Sequence, residues 1–98
     1  MKVENMTSSK GNKIANQFII TDDKGNKYFQ SYSSTIVKKD YEGEKVKTYL
    51  DAKYWNFSNT TCKYRNNFLN ESTAITRSKI NSGEYILTNL NRTVLFDE

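Results

Sequence analysis

Thr60, Lys63, Arg65, Asn66 and Asn67 gather a hydroxyl, two cations and two side-chain amides within one short run. On a helix such groups hold phosphate oxygens or the carboxylates of a protein partner. Arg77 and Lys79 follow in the next segment. These seven residues are the expected partner-binding set. Lys63, Arg65, Arg77 and Lys79 are the subset that would hold phosphates if the partner is a nucleic acid. Ser58 opens the run as a helix cap, and the free amides of a helix N-terminus favour an anion. Structural roles compete for the same residues. Arg65 lies beside an apolar stripe and can lay its stem over Tyr64 or Trp55. Arg77 and Lys79 fall in the last turns of a helix, where cations offset the dipole.

Catalytic chemistry is poorly supplied. The chain has no histidine, so it lacks Ser-His and Cys-His nucleophiles and an imidazole base. Glycines stand singly at Gly11, Gly25, Gly43 and Gly83, which is no phosphate-cradling loop. The carboxylate pairs Asp22/Asp23 and Glu42/Glu44 sit on predicted, solvated turns, whereas paired catalytic carboxylates need burial or a held geometry. Cys62 is the one cysteine, which precludes an internal disulfide, suits a reducing compartment and leaves no zinc set. The expectation is a protein that is not an enzyme and uses no cofactor or metal.

The elements that must position these groups are legible in the patterning. Residues 1–15 are polar and are expected to form a flexible N-terminal segment. From Gln17, QFIIT is a predicted strand, DDKGN a turn and KYFQSY a second strand. SYSSTIVKK continues in extended form, with a bulge or corner at Ser33 and Ser34. YEGEK is a second turn and VKTYL another strand. The period then changes. Tyr64 and Phe68, with Thr61 and Arg65 beside them and Cys62 and Leu69 extending the stripe, share one side of a helix over 58–69. Lys63, Asn66, Asn67 and Asn70 fall toward the other, and Trp55 and Phe57 are placed to staple the first turn. Ser72 and Gly83 bound a second helix, and EYILTNL is a last strand. The fold class is α+β: a small antiparallel sheet, a β-meander plus a C-terminal strand, covered on one face by two short helices. One domain is expected over 16–91, with 92–98 as a C-terminal tail whose Val94, Leu95 and Phe96 dock or add an edge. The open face should carry some of Tyr28, Gln30, Tyr32 and Tyr49.

The chain has 98 residues, a mean hydropathy of −0.82, five Phe, seven Tyr and one Trp. Aromatic area thus substitutes for scarce aliphatics in a small core. Between Ala52 and Ser82 the cations are Lys53, Lys63, Arg65, Arg77 and Lys79 against one acid, Glu71, so this segment carries the whole formal charge of +4. A localised excess of this kind attracts phosphate or an acidic protein surface. No apolar run has the length of a membrane span, and the first residues lack the apolar core of a signal peptide.

Four stretches also carry a resemblance: Asn16–Phe18, Tyr28–Tyr32, Trp55–Leu69 and Ile80–Asn91. Their pattern, Y-F-Q-S-Y, then W-x-x-S-x-T-T-x-K-Y-R-x-x-F-L, then S-G-E-Y-x-L-T-x-L-N, resembles a family of small proteins encoded by tailed bacteriophages and prophages. The resemblance implies an accessory binding protein working in the cytoplasm of the bacterial host cell. Its expected role is to inhibit or modulate a host factor in the manner of an anti-CRISPR, with a defence nuclease or its nucleic-acid complex as the partner. A small nucleic-acid-binding regulator and a sponge for a nucleotide immune signal are the alternatives, the latter with its pocket at a homo-oligomer interface. The hairpin VKKDYEGEKVKTYL and the tail RTVLFDE depart from the pattern.

Overall fold

The computed structural model describes residues 1–91, so the expected docking of Val94, Leu95 and Phe96 lies outside the described residues. Six strands form one sheet in sequence order: β1 (Lys2–Thr7), β2 (Lys13–Thr21), β3 (Lys27–Ser31), β4 (Ser34–Asp40), β5 (Lys47–Asp51) and β6 (Tyr85–Thr88). Two helices, α1 (Asn59–Leu69) and α2 (Thr73–Ser82), lie between β5 and β6. The α+β class is as expected. The first five strands pair antiparallel as a meander, whereas β6 runs parallel to β5. A parallel neighbour requires a long crossover, and the two helices supply it.

Residues 1–15 are not loose. They form β1, a turn and the start of β2. The polarity that suggests disorder is that of an edge strand, in which Met6 alone is buried. Lysine and glutamate along such an edge oppose pairing with another chain.

Register places Ile19, Phe29, Val37 and Leu50 on the helix-covered face. Phe18, Ile20, Tyr28, Gln30, Lys38 and Tyr49 alternate onto the open one. A register shift after Phe29 leaves Ile36 as an extra residue, so Ile36 and Val37 are both buried in succession. The break expected near Ser33 is a two-residue turn, Tyr32–Ser33, between the paired Ser31 and Ser34. Tyr32 therefore leaves the open face and occupies the turn. Around Phe29, Ile36, Val37 and Leu50 the core takes in Met6, Leu69 and Tyr85, with Phe68 stacked on Phe29 at 5.9 Å between ring centroids.

The turns are built by their own side chains. Asp22 Oδ1 accepts from the amides of Lys24 and Asn26, and Gly25 supplies the left-handed residue at φ +88°. Buried Asn26 joins the two turns at that end of the sheet. Its Nδ2 donates to Glu42 at 2.7 Å and its Oδ1 accepts from the Tyr41 amide at 2.9 Å.

Candidate functional site

The site is built where β5 hands over to α1. Asp51 is buried, and its carboxylate accepts from the amides of Lys53, Tyr54 and Leu90. That fixes the loop over 52–57 against the segment that follows β6. Ser58 then caps α1: its backbone is extended, and its Oγ accepts from the Thr61 amide at 3.1 Å. The Thr61 hydroxyl is also 3.2 Å from Ser31 Oγ, which ties the first turn of α1 to β3.

Across from this turn stands the β3–β4 hairpin. Tyr32 occupies the left-handed region at φ +57°. Its amide donates to the Asn16 carbonyl at 2.7 Å, and its carbonyl accepts from Gln30 Nε2 at 2.7 Å. For a bulky residue this backbone costs about 1–2 kcal/mol relative to the right-handed region. The side chain so placed is 57% exposed. Phe57 opposite is 66% exposed and sets its ring edge-on to Tyr54 at 5.2 Å. Between them opens a cleft of about 160 Å³, walled by Tyr32, Ile36, Tyr54 and Phe57 and floored by the Ser31–Thr61 hydroxyl pair. Phe57 thus does not staple the helix.

The seven residues expected to bind a partner separate into three groups. Thr60, Lys63 and Asn67 are exposed and follow one another along the outer face of α1. The Lys63 ammonium lies 5.3 Å from the Tyr64 ring. Arg77 is exposed, with its guanidinium 5.4 Å from the Trp55 ring.

Arg65 overturns its expected place: it is 0% exposed. Its Nη1 donates to the Trp55 carbonyl, and its Nη2 donates to Asn66 Oδ1 at 2.9 Å and Thr73 Oγ1 at 2.7 Å. Cys62 Sγ is 3.4 Å from Nη1, and the Trp55 ring lies 5.2 Å from the guanidinium carbon. No carboxylate stands within ion-pair distance of it among the described residues. Arg65 cannot reach a partner because carbonyl, amide, hydroxyl and ring hold it between α1, the 52–57 loop and the start of α2. Asn66 is half-buried in the same cluster and also donates to Thr73.

Lys79 is likewise committed. It sits 2.9 Å from Glu71 and 4.0 Å from Glu84. Glu71 also accepts from Thr76 Oγ1 at 2.6 Å and from the Tyr85 hydroxyl at 2.9 Å. Burial pushes the Glu71 carboxyl up, but the bonds from Thr76, Lys79 and Tyr85 outweigh it and hold the pKa below its ordinary value. The bond to Glu71 raises Lys79, while burial and then the Glu71 carboxylate raise Tyr85. The four expected phosphate-binding cations therefore do not form one patch, since Arg65 is buried and Lys79, though partly exposed, is paired with Glu71.

The sequence reading missed Tyr32 and Phe57. Phe57 reads as packing because it precedes a cap, and Tyr32 reads as strand because the serines after it mask the turn. Among the described residues no three His, Cys, Asp or Glu side chains cluster to hold a metal, and no helix is long and apolar enough to cross a membrane. The model of a family of unknown function, DUF8033, matches residues 1–84. No curated protein and no solved structure matches the chain.

Proposed function

The chain belongs to the DUF8033 family, and from that premise we propose that it is a non-catalytic binding module whose partner is a protein. The cleft at the start of α1 receives one apolar side chain of that partner, while Thr60 and Lys63 flank it. The observation that carries this is the strained Tyr32 facing Phe57, both rings in water around an apolar hollow. Exposed aromatics around a pocket are the usual anchors of protein interfaces. A dry hollow of about 150 Å³ holds one benzene-sized group, so the cleft suits a single phenylalanine or leucine side chain. Lys63 beside it favours a partner acidic at the rim, adding to association rate more than to affinity.

In the phage setting that the sequence resemblance implies, the partner is a host factor, and inhibition of a defence nuclease is the role proposed. The test is capture from host-cell lysate by immobilised protein, with Phe57→Ser and Tyr32→Gly run in parallel. A protein retained in near-equal amount by the wild type and lost by both variants supports the proposal. Equal retention by all three, or retention by none, overturns it.

A further inference from the structure

A second cleft, of about 280 Å³, lies at the other end of α1 and has a different character. Lys27 and Lys39 are cross-strand partners on the helix-covered face, beside the last turns of α1. Thr21 and Lys2 continue the same cross-strand row toward β1. Like charges directly opposite each other destabilise an antiparallel pair. Here the repulsion stands unrelieved, since neither lysine has a carboxylate within ion-pair distance among the described residues.

Three acids of the adjoining turns are engaged elsewhere. Asp22 accepts from Lys24, Asn26 and Tyr28, Glu42 from Asn26, and Asp40 from the Glu42 amide. Lys39 is also positioned, because its ammonium lies 5.3 Å from the Phe68 ring, which itself stacks on Phe29. Tyr41 lines the cleft, is 42% exposed as a residue, and stacks on no other ring among the described residues. Asn67 adds an amide that both donates and accepts, and Met6 and Ile19 give an apolar floor.

We propose that this cleft binds a nucleoside phosphate. Lys27 and Lys39 converge on phosphate oxygens, which removes their mutual repulsion, and the base lies against Tyr41 with its edge toward Asn67. Two ammonium groups on paired strands fit the charge of a phosphate monoester. A free aromatic face is a stacking platform for any base, and an Asn side chain can pair with adenine through donor and acceptor together. This site shares no residue with the cleft at Tyr32 and stands whether or not that cleft binds a protein.

Amide chemical-shift titration of the labelled protein tests it, with adenosine monophosphate, inorganic phosphate and a short oligodeoxyadenylate as probes. The monophosphate should move the signals of Lys27, Lys39, Tyr41 and Asn67, and should bind roughly tenfold more tightly than inorganic phosphate, the difference a stacked base makes. The double variant Lys27→Gln, Lys39→Gln should keep the rest of the spectrum and bind at least about tenfold more weakly. Tighter binding of the oligonucleotide identifies a nucleic-acid strand as the source of the phosphate, and equal binding identifies a free nucleotide. No shift at about 10 mM monophosphate, or equal binding by the double variant, overturns the proposal. So does a phosphoserine peptide that binds more tightly than the nucleotide.

Discussion

On the inner side of α1, Arg65 surrenders all contact with water, while at the helix's first turn Tyr32 and Phe57 hold aromatic rings in it. Residue type alone assigns these places the other way round. The inner cluster is polar and closed: a guanidinium fastened to Trp55, Asn66 and Thr73 joins three segments of chain. The outer cleft is apolar and open, and it stands on a backbone conformation that tyrosine adopts at a cost. A cation can be a packing element and an aromatic a surface element. Hydrogen-bond partners and backbone strain, more than hydropathy, separate structure from function here.

The sharpest way to break the comparison is to remove its inner half. Arg65→Ala should cost about 3 kcal/mol, since it leaves a cavity and strands the Trp55 carbonyl and Thr73 hydroxyl. Urea denaturation measures the loss. A change under about 0.5 kcal/mol would return Arg65 to the surface.

Glu71→Gln comes next, at about 2 kcal/mol, because a charged acceptor of three hydrogen bonds becomes neutral. The folded pKa of Glu71 is depressed, so this contribution is complete above the unfolded glutamate value, roughly 4.3, and is lost as pH falls from there through the lower folded value. Thermal melts of the two proteins should therefore converge in acid and stay apart at neutral pH.

Tyr32→Gly should act in the opposite direction. Relief of the left-handed tyrosine, less the entropy of a new glycine, raises stability by about 0.5 kcal/mol. A loss above about 1 kcal/mol would make the ring a packing element. The smallest effect belongs to Lys63→Glu, which should leave stability within about 0.5 kcal/mol while slowing association with the partner in low salt.

Much of the fold was legible because local signals agree with it. Ser58 and Ser72 each precede a change to helical period, Gly83 ends α2 in the left-handed region, and the DDKGN turn supplies its own hydrogen bonds. β1 was not legible, because an edge strand buries so little that its alternation vanishes. Nor was the direction of β6, which depends on how two helices cross the sheet. At the candidate site, helical spacing places Lys63 and Asn67 outward, whereas Asn66, which the same spacing puts there, is half-buried. Arg65 was lost because an arginine among apolar neighbours reads the same whether its head reaches water or a carbonyl. Lys27 and Lys39 escaped notice because the extra residue at Ile36 shifts the register between β3 and β4.

The central claim is that the hollow beside Tyr32 seats a side chain from another protein, and the affinity of two variants measures it most directly. With the captured partner in hand, the wild type, Phe57→Ser and Arg77→Gln are compared for binding by calorimetry. Phe57→Ser should weaken the complex roughly thirtyfold, the loss of one buried aromatic anchor of about 2 kcal/mol, while Arg77→Gln stays within a few-fold of the wild type. A complex that tolerates Phe57→Ser and is abolished by Arg77→Gln would contradict the account and move the contact to the Trp55 side of the helices.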